Sequence, residues 1–327
     1  MNLLRCLPVG ASIAFLAACG DTDSIGKNND HVSGVSGSSG ASGSAGASGS
    51  AGTSAGGSAG SGAGSGLPDE VTLELDPFEV EGGAELSLCQ TFANPFGNNE
   101  VFLNEFEVHM AEGSHHLTVN YADFAADSGV SECSGLESPE GPFTVQRPDE
   151  VFTYQEGVAA QLRKEQGLRL ILHFINVATN AVTPSVRLTL RRMPSESVQQ
   201  IAFIRALSTL DVNVPPHDTR TIEGGITLSS GSEWDLLWVL PHMHRAGTHF
   251  TVSAGPAAAT SVIYETDSWD TTSHKFDPAL QLHPGDALNY SCTYVNHGTA
   301  PLIFGPSPNN EAMCQLVFHY AARRQSP

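Results

Sequence analysis

Residues 168–175 read Leu-Arg-Leu-Ile-Leu-His-Phe-Ile. In an extended chain Leu168, Leu170 and Leu172 share one face, while His173 lies on the other with Ile171 and Ile175. Such a segment is a strand whose two faces are both partly apolar, as in a covered sheet. Alternating or β-branched runs recur at 71–75 (VTLEL), 186–190 (VRLTL), 221–228 (TIEGGITL) and 288–295 (LNYSCTYV). Gly, Pro, Asn and Asp clusters separate them at turn-like intervals. Only 158–166 (VAAQLRKEQ) suggests a helical turn. The pattern predicts an all-β body of two tandem antiparallel, jelly-roll-like β-sandwich domains. The polar stretch 191–199 (RRMPSESVQ) divides them into residues 67–195 and 196–327.

The 327 residues carry 15 Lys+Arg against 35 Asp+Glu, a formal net charge of −20. That balance excludes a nucleic-acid partner, which requires a basic footprint. No internal run approaches the ~18 apolar residues of a membrane helix, so a membrane link has to come from the ends. Residues 1–18 have the grammar of an export signal, with Arg5 followed by an apolar stretch and small residues. Leu16-Ala17-Ala18-Cys19-Gly20 resembles the lipobox of bacterial lipoproteins, which implies lipidation of Cys19. Of the 36 residues 31–66, 32 are Gly, Ser or Ala, and they have nothing to bury against the entropy of ordering. Residues 19–66 are therefore expected to form a disordered tether, with a reach of about 30–36 Å for its low-complexity part. The expected location is the cell envelope, at the outer membrane on its periplasmic or surface face.

Cys89, Cys133, Cys292 and Cys314 remain after the signal and lipid cysteines. An even number in an exported chain predicts two disulfides, for which three pairings exist. The long gap between Cys133 and Cys292 suggests two local bridges, Cys89–Cys133 and Cys292–Cys314.

Among thirteen histidines, a few sit in telling places. His242 and His244 form an H-x-H that would project from one face of a strand and grip one metal. His115 and His116 are adjacent, so joint ligation requires a bulge or strand end, which Gly113 could allow. His173 lies in the strand quoted above, and Met313 directly precedes Cys314. Strand spacing of ~3.3 Å per residue places His319 and His109 too far along the chain to join these ligands. His249 stands at an odd spacing from His244 and is expected on the other face.

The order H-H, H, H-x-H and then Met-Cys resembles that of the copper type II, ascorbate-dependent monooxygenases. That family includes the peptidylglycine α-hydroxylating and dopamine β-hydroxylating enzymes, and the match spans roughly residues 85–325. The resemblance implies two packed β-sandwiches with a copper in each, facing a solvent-filled cleft between them. His115, His116 and His173 would hold an electron-transfer copper. His242, His244 and Met313 would hold the catalytic copper where O2 binds. The resemblance also makes Cys292 the partner of Cys314. It implies two copper ions as cofactors, ascorbate or another one-electron reductant, a small organic substrate and a possible separate electron donor. The residue types agree, since imidazole suits both copper states and a thioether favours Cu(I) over zinc.

The pattern also departs from the peptide-amidating branch. Leu240 and Val317 stand where that branch has an Arg and a Tyr, so a glycine-extended peptide is not the expected substrate. The expectation is a copper monooxygenase of a small molecule; the alternative is a copper-binding or copper-buffering envelope lipoprotein without catalysis.

Overall fold

Alternation along Gln166–Ile175 sends Leu168, Leu170, Leu172 and Phe174 into a core and leaves His173 on the opposite face. The structure, a computed structural model, describes residues 66–134 and 140–323. The export signal, Cys19 and the tether up to residue 65 lie outside the described residues. Within them the chain is all-β, with one 3-10 turn at Ser195–Ser197.

A nine-stranded sheet runs through both halves of the sequence. Against its first part packs a five-stranded antiparallel sheet that contains Glu85–Phe92, Ser114–Asp123 and Gln166–Ile175. Between them lies a core that includes Phe106, Val108, Leu117, Val119, Leu188 and Leu190. Against the second part packs a four-stranded antiparallel sheet centred on Asp286–Val295 and Gly247–Pro256. Its core joins Phe250, Val252 and Leu288 to Leu236, Val239, Leu316 and Phe318. The two sandwich-like bodies thus follow from strands with one apolar face each, stacked face to face.

The helical turn suggested at 158–166 is not formed. Val158–Leu162 is a strand whose Val158, Ala160 and Leu162 are buried in the first core. It pairs antiparallel with Val101–Met110 and parallel with Gln200–Thr209, which joins the two parts of the large sheet. Pairing on both edges overrides the helix propensity of Ala, Gln and Lys in so short a segment.

Both local disulfides are present. Cys89–Cys133, with Cα atoms 5.9 Å apart, ties the five-stranded sheet to the chain leaving its edge strand Ser131–Glu132. Cys292–Cys314 crosses the second core, from the four-stranded sheet to the strand Cys314–Ala322 of the large sheet. They mark an extracytoplasmic chain. Among the described residues no helix is long and apolar enough to cross a membrane. The bridge at Cys292–Cys314 closes 22 residues, for which loop-entropy arithmetic gives about 3 kcal/mol. The double variant Cys292→Ala/Cys314→Ala should lose about that much stability in urea unfolding, and an unchanged midpoint would refute the estimate.

Candidate metal centre

The His-His pair meets its geometric requirement through a bulge. On Ser114–Asp123, Ser114 pairs with Phe174 and His116 with His173, so His115 is the extra residue. Gly113 enters this bulge with φ 96°, and a Cβ there would lie 2.7 Å from the Ile175 carbonyl oxygen. Only glycine fits both the angle and the space. Consecutive imidazoles thereby reach the same region: the His115 and His116 rings are 5.2 Å apart, and they lie 5.4 and 5.2 Å from His173.

From the second sandwich comes the end of the strand Trp234–Met243, carrying His242 with His244 just beyond. Their rings are 5.3 Å apart. His242 lies 5.5 Å from both His115 and His116, and His244 lies 6.0 Å from His115. Rings of the two sets thus approach to 5.5–6.0 Å of one another. Ligand atoms of His115, His242 and His244 all lie within 4.8 Å of one another, a buried triad that could hold a metal ion. This triad crosses the division drawn from the sequence, where His115 belonged with His116 and His173. The bulge at His115 brings both adjacent rings to the same distance from His242, 5.5 Å.

Hydrogen bonds fix which nitrogens are free. The Gln146 amide donates to the Pro241 carbonyl at 2.7 Å and to Thr271 Oγ1 at 3.2 Å. Its Oε1 therefore accepts from His242 Nδ1 at 2.6 Å, which leaves the Nε2 lone pair of His242 for a metal. His244 Nδ1 donates to the Glu311 carbonyl at 3.2 Å, with the same consequence. His173 donates through Nε2 to Glu85 Oε1 at 3.1 Å and keeps Nδ1 as the acceptor. His115 Nε2 and His116 Nδ1 are buried without any partner.

Burial favours the neutral form of all five rings. Burial first, and after it electrostatic opposition from His173, His244 and Arg245 to a further positive charge, pushes His115 down to about 3. Burial takes His244 to about 4 against the opposing pull of the Glu311 carbonyl. His116 and His242 lie well below the usual imidazole range, again through burial first and neighbouring histidines second. Burial lowers His173 as well, against the opposing pull of Glu85.

Met313 lines a cavity of about 230 Å³ together with His116, His173, His242 and His244. Tyr294 fixes this corner, since its hydroxyl donates to the Met313 carbonyl and accepts from the His244 backbone N–H at 3.3 Å. Cys314, next in the chain, is buried in the second core. The rejected histidines lie elsewhere: His109 bonds Asp149 and Glu107, His249 bonds Asp267, and His319 bonds Tyr154. Sequence reasoning missed Gln146, Glu85 and Trp269, whose ring lies 5.6 Å from His115 with the Arg245 guanidinium 5.5 Å from its centroid. No local signal marks these three, which reach the histidines through pairings distant in sequence.

No family model matches the sequence, and no curated protein matches it either. Among solved structures, the major capsid protein P2 of bacteriophage PM2 aligns at 10% identity and TM-score 0.37, over 79% of this chain and 99% of that one. The glycosylasparaginase PNGase F of Flavobacterium meningosepticum aligns at 10% identity and TM-score 0.36, over 78% and 96%. A peptide-N4-(N-acetyl-β-D-glucosaminyl) asparagine amidase aligns at 11% identity and TM-score 0.33, over 78% and 97%. The comparisons identify no family.

Two outcomes follow from the geometry. Unfolded imidazoles titrate near about 6.5 whereas His115 and His244 remain neutral to much lower pH, so the unfolded chain binds more protons below that value. In urea titrations the metal-free protein should hold its stability above about pH 6.5 and lose up to about 1.4 kcal/mol per pH unit for each such histidine below it; a flat profile down to about pH 4.5 would contradict the burial of neutral rings. Gln146→Leu removes the acceptor that orients His242 and should weaken metal affinity by about 10–100-fold with folding intact. Competition with a chelator measures this, and wild-type affinity in the variant would dismiss the orienting role.

Proposed function

We propose that the chain is an exported copper-dependent monooxygenase that hydroxylates a C–H bond of a small organic substrate, using O2 and a reductant such as ascorbate. The observation that supports this reading is a cavity lined by His116, His173, His242, His244 and the thioether-bearing Met313, with the His115 ring packed against these histidines. The donor set fits copper: buried nitrogens of His115 and His116 have no other partner, and neutral imidazole with Met sulfur is the ligand chemistry of Cu(I) rather than of zinc. On this reading His242, His244 and Met313 form the catalytic set, with His115, His116 and His173 as the electron-passing set. His115, which converges with the H-x-H pair, is then the link between them.

Bound copper would supply one-electron storage and a site for O2 reduction. The reaction balances as substrate C–H, O2, two electrons and two protons giving C–OH and water, with the reductant or a separate donor as electron source. The chain's part is to hold lone pairs and to shape the space. Gln146 and the Glu311 carbonyl aim His242 and His244, the Cys292–Cys314 bridge and Tyr294 hold the Met313 backbone, and Leu240 and Val317 line the wall. The anchoring of Cys19 in a membrane belongs to the same proposal. One observation favours a second reading, copper buffering without catalysis: apolar Leu240 and Val317 stand in the cavity where the amidating enzymes carry substrate-binding groups.

Copper per chain, measured after Cu(II) loading and removal of loosely held metal, tests the proposal. Two retained coppers, reduced to about one in His242→Ala or His173→Ala, are expected. Met313→Ala should fold normally and lose turnover. Failure of a folded, disulfide-bonded protein to keep any copper removes both readings. Retained copper with ascorbate-driven peroxide and no hydroxylated product selects the buffering role.

A further inference from the structure

Among the described residues lining the cavity beside the histidines there is no Asp, Glu, Lys or Arg. A charged ligand entering it would shed water without gaining an ionic partner, which is strongly unfavourable. The chain's net charge of −20 further opposes anions. The volume of about 230 Å³ exceeds the roughly 150 Å³ cavity that takes benzene and lies below the ~300 Å³ of the smallest drug-sized pockets.

The polar wall also offers hydrogen-bond acceptors, beside the Ser208 hydroxyl proton. Thr144 spends its single hydroxyl proton on the Leu117 carbonyl, at 3.2 Å. The hydrogen of the Thr118–Thr144 contact, at 3.1 Å, therefore comes from Thr118 and leaves the Thr118 oxygen as an acceptor. Gln315 donates through its amide nitrogen to Ser208 at 2.6 Å, which leaves its Oε1 as another. Opposite chemistry comes from Ile171, Leu240 and Val317.

We propose that this cavity binds an uncharged one-ring molecule bearing a neutral hydrogen-bond donor such as a hydroxyl. Calling that molecule the substrate rests on the monooxygenase reading; its binding does not. Calorimetric titration of the full chain, metal-free and copper-loaded, with 2-phenylethanol, 2-phenylethylamine, phenylacetate and the methyl ether of 2-phenylethanol separates the classes. The alcohol should bind at least about 10-fold more tightly than either ion, and more tightly than the ether that lacks the donor. Leu240→Trp, which fills the cavity, should abolish this binding. Leu210→Trp should weaken it from the rim, where Leu210 is 66% exposed and a larger side chain leaves folding intact. A charged analogue that binds as well as the alcohol, an alcohol that does not saturate, or binding that survives both variants would overturn the proposal. Copper content in the same samples tells the two failures apart. Lost copper with bound alcohol removes the monooxygenase reading alone, and retained copper without alcohol binding removes the ligand class alone.

Discussion

Water is kept from His115 Nε2 and His116 Nδ1, and no protein group bonds either atom. Leaving a buried polar nitrogen unpaired costs about 1–3 kcal/mol, and protonation brings no relief, because burial and the neighbouring rings oppose the charged form. Two such atoms within one cluster are a standing expense that the fold must carry unless a Lewis acid takes the lone pairs. The rest of the site makes sense as support for that condition. Gly113 permits the bulge that brings both rings inward, while Gln146 and the Glu311 carbonyl consume the nitrogens that are not needed.

Precision of this kind needs rigid supports on both sides. His116 and His173 are cross-strand partners in a sheet whose other face is core. His242 sits on a strand paired along Trp234–Met243 with Cys314–Ala322, which is itself bonded covalently to the facing sheet. The nine-stranded sheet runs from Glu70–Glu74 at one side to His274–Leu282 at the other, so each sandwich contributes one of its two layers to a common sheet. The histidines are thus presented by strand ends and a bulge, where the backbone can depart from regular pairing without disturbing either core.

What could be read from the sequence followed from short-range rules. Period-two alternation located Gln166–Ile175, Val186–Met193 and Asp286–Val295 within a few residues, and even cysteine numbers with a long gap gave the bridges. The need for a bulge at His115–His116 was likewise a local argument, with Gly113 as its signal. The rest depends on which strands meet. Val158–Leu162 looked helical because its two strand partners are remote in sequence, one of them in a parallel ladder. The approach of His115 to His242 and His244, more than a hundred residues away, depends on how the two sandwiches meet. Gln146 and Glu85 reach His242 and His173 only once the sheets are assembled, so no motif announced them.

The acidity of the chain acquires a physical role in this arrangement. A net charge of −20 creates a field that gathers cations of every kind near the surface and turns anions away. Entry to the histidine cluster is then decided by desolvation. A Lys-like ammonium finds no carboxylate in the cavity wall, whereas a transition-metal ion would exchange its water for imidazole nitrogens that have no competing bond. The surface would then select by sign and the interior by coordination chemistry. An organic molecule that shares the cavity with such an ion meets neither selection if it is neutral, and its apolar body gains from leaving water. Charge at the surface and neutrality within are therefore two parts of one filter, and the alternation of strand residues between core, cavity and solvent is what keeps them apart.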